Sequence, residues 1–335
     1  MKVGIIGFLG SGKTTLFNSL SDSSSPTKSN VCVVKIPDER LEKLVEVFKP
    51  KKLTPSEVLF QDFPGYEYDL RENALSKKCL EEIKKVDLIV AIHNSYTTDD
   101  LQELSKKLKS SINDIETECI INDASIIENR LERSKREGKK SNDKELLEKI
   151  LKGLEENTPL RNMHLEEHEL KEIAGFRFLS QIPLIHIVNC SEEILKKDFP
   201  LEKNVLKLCC KIEEEIASLN REEKNAFLQD FGLTESAKDR LLLEAYKQLH
   251  LIPFFTVGED EVRSWDIPKG INAQKAAGKI HSDIERGFIR AEVINFQEFI
   301  ELGSLHKAKE AGKLRLEGKE YIVKDGDIIN FRFNV

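Results

Sequence analysis

The sequence lacks the long apolar runs that place a chain across a membrane. No stretch of about 18 consecutive apolar residues occurs in it. The chain enters a strand-like run directly after Met1-Lys2, without a charged-then-apolar leader. We therefore expect a cytoplasmic protein with neither a membrane span nor a signal peptide.

The sequence also lacks the C-x-x-C spacing of zinc and redox sites. Its six cysteines are Cys32, Cys79, Cys119, Cys190, Cys209 and Cys210. In a reducing compartment, cysteines without such spacing behave as small core side chains. We expect neither disulfides nor a zinc site.

The sequence also lacks an excess of positive charge. The 335 residues carry a net charge of −7, so any contact with nucleic acid has to come from a local patch. Coating of nucleic acid and recognition of a DNA sequence are not expected. The length predicts about two or three domains of ~100–200 residues each.

The most informative segment that is present lies near the start of the chain. Residues 7–15 follow the apolar run Val3–Ile6 and match G-x-x-x-x-G-K-[ST]. In this pattern glycines let backbone N–H groups approach phosphates, the lysine meets the β- and γ-oxygens, and the hydroxyl after it binds Mg²⁺. The predicted nucleotide-binding residues here are Gly10, Ser11, Gly12, Lys13, Thr14 and Thr15, with Lys13 as the catalytic cation and Thr14 as a metal ligand.

A second nucleotide signature follows the next predicted strand. Asp62-Phe63-Pro64-Gly65 comes directly after Val58–Phe60 and its neighbour Gln61, and matches the D-x-x-G pattern of P-loop NTPases. Asp62 is predicted to hold Mg²⁺ through water, and Gly65 to offer its N–H to the γ-phosphate.

The base-reading segment is expected at the end of a later strand. Leu184–Val188 runs directly into Asn189-Cys190-Ser191-Glu192. GTPases have N-K-x-D here, with an Asp that accepts two hydrogen bonds from guanine and a Lys whose stem packs on the base. Because Cys190 and Glu192 replace that pair, guanine specificity should be weakened.

The remaining pattern predicts an α/β protein. Apolar runs at Val3–Ile6, Val58–Phe60, Leu88–Ile92 and Leu184–Val188 alternate with helical patterns, which indicates a mostly parallel sheet. Between the last two runs, Ile120, Ala124, Ile127 and Leu131 recur at helical spacing, as do Leu147, either Ile150 or Leu151, and Leu154. Residues 112–176 are therefore predicted to form an inserted helical hairpin.

The tip of this hairpin is locally basic. It contains Arg130, Arg133, Lys135, Arg136, Lys139 and Lys140 against Glu132 and Glu137. A solvated helix end and an RNA contact both explain such a cluster.

Short β-like runs end the chain and predict a separate small domain. They are Phe254–Val257, Phe288–Val293, Glu320–Val323 and Ile328–Phe333. The predicted division is 1–111 with 177–250 for the P-loop NTPase domain, 112–176 for the hairpin, and 251–335 for the small domain. Trp265, the single tryptophan, is read as a packed anchor.

These motifs together resemble the Obg-like ATPase (YchF) subfamily of P-loop NTPases, whose base motif is N-x-x-E. The resemblance also covers residues 37–44, 276–293 and 325–335. It implies a coiled-coil hairpin, a β-grasp-like TGS domain at the C-terminus, a preference for ATP over GTP, and the ribosome as partner. Asn189, Cys190 and Glu192 would then surround the purine.

Two segments depart from the family pattern. The Ser-rich stretch at 19–28 is shorter than the family's first switch, and Thr27 is its only threonine candidate for Mg²⁺. After Gly65 the family's glycine-rich switch is missing. Since switch loops enclose the γ-phosphate and place the attacking water, their shortening should lower turnover more than affinity.

The sequence thus predicts a Mg²⁺-dependent ATP-binding protein with slow hydrolysis, acting as a switch that contacts the ribosome or RNA through the hairpin and TGS domain. A non-hydrolysing adaptor that holds ATP or ADP as a structural ligand is the alternative. A GTPase of the translation-factor type fits less well, because the base motif lacks Lys and Asp.

Overall fold

The computed structural model describes residues 1–20, 30–63, 77–95, 100–137, 143–197, 199–201, 204–233 and 235–334. The strands are β1 (Lys2–Gly7), β2 (Val31–Lys35), β3 (Lys52–Thr54), β4 (Glu57–Asp62), β5 (Leu88–Asn94), β6 (Leu184–Asn189), β7 (Val205–Leu208), β8 (Leu251–Thr256), β9 (Glu261–Pro268), β10 (Phe288–Asn295), β11 (Arg315–Glu317) and β12 (Asp327–Phe333). The helices are α1 (Lys13–Leu20), α2 (Glu39–Phe48), α3 (Lys77–Ile83), α4 (Leu101–Glu137), α5 (Lys144–Glu155), α6 (Glu167–Ile173), α7 (Glu192–Leu195), α8 (Cys210–Ala217), α9 (Arg221–Asp230), α10 (Ala237–Gln248), α11 (Ala273–Ile280), α12 (Ser282–Arg286), α13 (Phe296–Leu302) and α14 (Leu305–Glu310).

The first sheet has the order β2-β4-β1-β5-β6-β7. Strand β1 pairs in parallel with β4 and β5, and β6 pairs in parallel with β5 and β7. Each of the four apolar runs predicted as strands in this part lies inside a strand, so the predicted α/β class is confirmed. Parallel strands end at the same edge, which brings the chain segments after β1, β4, β5 and β6 together.

The long insertion between β5 and β6 contains the helices α4, α5 and α6, and we call α4 and α5 the arm. Side chains of both helices share one apolar cluster, which contains Ile120, Ile127, Leu147, Ile150 and Leu154. The predicted helical spacing is thereby confirmed. Helix α4, however, runs unbroken from Leu101 to Glu137. The predicted boundary at 112 therefore falls inside a continuous helix, whose first half packs on the sheet through Leu104, Leu108 and Ile115.

The second sheet has the order β11-β10-β12-β8-β9-β3. Successive residues of β8 enter different apolar clusters, because side chains alternate between the faces of a strand. Phe254 packs in one cluster with helix α11, and Phe255 packs in the other with Leu41, Leu44 and Phe299. Each face of this sheet thus has its own core.

The described contacts divide the chain into two compact units, residues 1–33 with 59–241 and residues 34–58 with 242–335. This division differs from the predicted one, because residues 34–58 group with the C-terminal part. Strand β3 pairs in parallel with β9, where Lys52 is opposite Glu261. Helix α2 contributes Leu41 and Leu44 to the apolar cluster around Phe255.

Further expectations can be compared with the structure. The predicted strand Glu320–Val323 is wrong, because only an isolated bridge joins Ile322 to Asn272. Trp265 is a packed anchor, since its Nε1 donates to Thr256 Oγ1 at 3.0 Å and the Arg263 guanidinium lies 3.8 Å from the ring centroid. The six cysteines are buried in the core, as predicted. Among the described residues, no helix is long and apolar enough to cross a membrane.

A buried carboxylate ties the arm to the segment that precedes β6, and we expect its removal to destabilise the protein. Asp123 on α4 is fully buried and accepts from the backbone N–H groups of Leu179 and Ser180 at 2.9 and 2.7 Å. Replacing Asp123 by Ala leaves both donors unpaired, at about 1–3 kcal/mol for each. Urea unfolding followed by circular dichroism should show this loss. Asp114→Ala, at an exposed position of the same helix, should stay within about 0.5 kcal/mol, and an equal loss in both variants would contradict the assignment.

Candidate nucleotide-binding site

The loop between β1 and α1 has the backbone that a phosphate cradle requires. Gly10 and Gly12 adopt φ values of 77° and 93°, which side chains other than hydrogen rarely allow. A Cβ on Gly12 would lie 2.2 Å from Asn189 Nδ2, whereas one on Gly10 would meet nothing within 4 Å. Gly12 is therefore required both by its φ and by a close neighbour.

The side chain of Asn189 holds this loop from the neighbouring strand β6. Its Nδ2 donates to the Ser11 carbonyl at 2.8 Å, and its Oδ1 accepts from the Cys210 N–H at 3.0 Å. Asn189 is only 4% exposed. Because both ends of the amide are engaged, Asn189 supports the loop and the start of α8.

Lys13 and Asp62 meet at the edge where β1 and β4 end. Lys13 Nζ lies 3.6 Å from Asp62 Oδ1 and donates to the Phe63 carbonyl at 3.1 Å. Burial raises the pKa of Asp62, and the nearby Lys13 cation opposes that shift. Asp62 Oδ1 has no hydrogen-bond partner in the described part of the chain. A buried carboxylate oxygen next to a lysine can accept from a water or interact with a cation.

The other predicted residues of this loop differ in exposure. Thr14 is exposed and Thr15 half-buried in the first turn of α1. Ser11 is 1% exposed and its Oγ lacks a hydrogen-bond partner among the described residues. The Ser11 N–H donates to the Phe8 carbonyl at 3.1 Å. Ser11 thus shapes the loop from inside.

The two substituted positions of the base motif lie in different surroundings. Cys190 is fully buried in an apolar cluster with Ile194 and Leu195, and burial raises the pKa of its thiol to about 12. Its side chain packs in the core as a neutral thiol. Glu192 is exposed at the first residue of α7.

Two predicted residues, Thr27 and Gly65, lie outside the described part of the chain. Sequence reasoning also missed two residues that the structure places at the site. Asn94 ends β5 and its Nδ2 donates to the Gly10 carbonyl at 3.1 Å, while Ser95 Oγ donates to the Asn189 carbonyl at 2.8 Å. The available signal was their position directly after the predicted strand Leu88–Ile92.

A glycine loop between a strand and a helix, with a lysine and a buried aspartate at the ends of parallel strands, defines a P-loop NTPase. Comparison with known sequence families agrees with this class. Residues 2–123 match the family described as "50S ribosome-binding GTPase", and residues 251–334 match the YchF-GTPase C-terminal family, described as "Protein of unknown function (DUF933)".

The chain belongs to the YchF family. It is 37% identical to the protein named "Ribosome-binding ATPase YchF" of Bacillus subtilis strain 168, with 100% of both chains covered. It is also 37% identical to the protein of the same name of Haemophilus influenzae, with 100% of this chain and 99% of the relative covered. The solved structure of the Schizosaccharomyces pombe YchF GTPase matches with a TM-score of 0.83 at 25% identity, covering 99% of this chain and 97% of that one.

The two glycines of the loop allow a matched test of its geometry. Gly12→Ala should destabilise the protein more than Gly10→Ala, because both place a Cβ at positive φ but only the first creates a clash. The additional cost should be about 1–3 kcal/mol, as for overpacked sites. Free energies of unfolding in urea measure it. Equal losses would mean that Asn189 does not lie against Gly12.

Proposed function

We propose that this chain is a Mg²⁺-dependent ATP-binding protein with slow ATP hydrolysis, which acts as a nucleotide-controlled switch on the ribosome. The observation that carries the proposal is the position of Lys13 Nζ, 3.6 Å from Asp62 Oδ1 beside the glycine loop. The fold brings the cation for phosphate oxygens and the carboxylate for a metal's water to the same place. The relatives' name, "Ribosome-binding ATPase YchF", supports the activity and the partner.

The residues present fit a hydrated magnesium ion. The unpartnered Oδ1 of buried Asp62 would accept from a metal-bound water, and the hydroxyl of Thr14, at the exposed start of α1, would be a direct ligand. Thr27 is the further candidate, outside the described residues. Bound Mg²⁺ would neutralise charge on the β- and γ-phosphates. Lys13 would leave its contact with the Phe63 carbonyl and bind the phosphate oxygens.

The residues at and after the end of β6 favour the binding of ATP over that of GTP. Both ends of the Asn189 amide are hydrogen-bonded to the backbone of the protein. Glu192, three residues further along the chain, is exposed. We assign Glu192 and the backbone at Cys190 to the purine. Without the Asp and Lys of N-K-x-D, the paired acceptor and the stacking stem for guanine are missing.

Slow turnover follows from the segments that depart from the family. The alignment with the Bacillus subtilis protein spans 365 positions, more than the 335 residues of this chain, so the relative carries residues that this chain lacks. The sequence after Gly65 has no glycine-rich switch and offers no obvious side chain to place the attacking water. The same observation favours the second candidate function, a non-hydrolysing adaptor with bound ATP or ADP.

Single-turnover measurements separate these functions. With Mg²⁺ and excess protein, labelled ATP should bind tightly and be hydrolysed slowly, and ribosomes should accelerate the reaction. Tight binding without turnover under either condition would identify the adaptor. Tighter binding of GTP than of ATP in competition would contradict the assignment of Glu192.

Lys13→Ala should weaken ATP binding about tenfold or more, because the β- and γ-oxygens lose their cation. Equilibrium titration with a fluorescent ATP analogue measures this change. Lys35→Ala, at an exposed position of β2, is the matched control and should bind as the unchanged protein does. Equal affinity of both variants would rule out the assigned role of Lys13.

The basic tip of the arm is the surface we assign to ribosomal RNA. Arg133 and Arg136 are exposed near the end of α4. Their joint change to Glu should weaken ribosome association and flatten its dependence on salt, because fewer counterions are released. Changing Lys106 and Lys109 to Glu, also exposed on α4, alters charge equally and should have little effect. Sedimentation with ribosomes at two salt concentrations measures both, and identical behaviour would remove the arm tip as the contact.

A further inference from the structure

A buried chain of polar side chains in the first unit runs from α4 through the middle of the sheet and back to α4. His93 on β5 is 3% exposed and His186 on β6 is fully buried. His93 Nδ1 lies 2.7 Å from Ser111 Oγ, and His93 Nε2 lies 2.9 Å from His186 Nδ1. His186 Nε2 lies 3.8 Å from Glu116 Oε1 and has no hydrogen-bond partner within the described residues. Ser111 and Glu116 both belong to α4.

The acceptor at one end fixes the direction of these hydrogen bonds. A carboxylate only accepts, so His186 carries its hydrogen on Nε2, facing Glu116. His186 Nδ1 then accepts from His93 Nε2, and His93 Nδ1 accepts from the Ser111 hydroxyl. Burial and the neighbouring His186 lower the pKa of His93 to about 3, so the His93 ring acts as a neutral, directional link.

One end of this chain lies at the base of the arm. Glu116 also pairs with Arg161, which follows α5 and whose Nη1 donates to the Ser180 carbonyl at 3.1 Å. Asp123 binds the backbone of Leu179 and Ser180 from the same helix. These contacts hold both sides of the arm against the segment that leads directly into β6.

The two histidines in the middle of this chain lie on β5 and β6, and each of these strands ends at an asparagine that holds the phosphate loop. Asn94 follows His93 on β5 and donates to the Gly10 carbonyl, and Asn189 lies three residues after His186 and donates to the Ser11 carbonyl. Asn94 and Asn189 are also register partners in the parallel pair of β5 and β6. A shift of either histidine can therefore be transmitted to the phosphate loop through a few residues of backbone.

We propose that Glu116, His186 and His93 are positioning residues that couple the base of the arm to the phosphate loop, so that a partner on the arm changes nucleotide affinity. The separation of 3.8 Å between His186 and Glu116 is roughly 1 Å longer than a hydrogen bond. A small movement of α4 towards β6 completes the chain, and a partner that prefers either position shifts the equilibrium between them. This inference rests on the proposed function, because it concerns regulation of the same site.

The test compares the affinity for ATP with and without ribosomes in the full chain. In the unchanged protein, the ratio of the two dissociation constants should lie within about 5–150, the usual range of coupling. His186→Phe and Glu116→Gln should each reduce that ratio threefold or more. Ile127→Val, which shortens a fully buried side chain of α4 outside the polar chain, controls for loss of stability and should keep the ratio.

An equal ratio in all four proteins would overturn the inference and leave the proposed function intact. A ratio of one in the unchanged protein would instead contradict the ribosome-controlled switch. The inference is then decided by amide hydrogen exchange without ribosomes. Glu116→Gln should speed exchange at residues 8–12 about threefold or more relative to Ile127→Val, and equal exchange would overturn it.

Discussion

The whole nucleotide site depends on the side-chain amide of Asn189. This one buried group joins three segments that are distant in sequence, because its nitrogen binds the loop after β1, its oxygen binds the start of α8, and its own backbone ends β6. Asn189 is only 4% exposed, and an unpaired buried polar group costs about 1–3 kcal/mol. The amide can approach the backbone at position 12 because Gly12 has no side chain. Loop, strand and helix therefore keep a fixed geometry before any ligand arrives.

The parallel sheet explains how a few residues from distant parts of the sequence can form the candidate site. Because β1, β4, β5 and β6 end at one edge, Lys13, Asp62, Asn94 and Asn189 converge from separate parts of the chain. Lys13 rests on the Phe63 carbonyl and near Asp62, so its charge is compensated inside the protein. By the proposed function, nucleotide binding would exchange these contacts for phosphate oxygens. Burial raises the pKa of the Asp62 carboxyl.

Sequence patterns predicted the parts of the site whose signal is local. The loop around Lys13, the aspartate at the end of β4 and the asparagine at the end of β6 each follow an apolar run within a few residues. Asn94 was missed, because a single amide at a strand end has no pattern around it. The pair of His93 and His186 was missed because it depends on strand register. Glu320–Val323 alternates like a strand, yet its backbone finds only one bridge.

The assignment of residues 34–58 to the C-terminal unit has a consequence for the order of folding. Strand β3 and the apolar face of α2 emerge early in synthesis, but their partners β9 and Phe255 follow about two hundred residues later. Closing so long a loop costs entropy that local contacts cannot repay. Leu41 and Leu44 therefore lack their partner Phe255 on the nascent chain until β8 is synthesised. A fragment that ends before β8 would expose the same apolar surface.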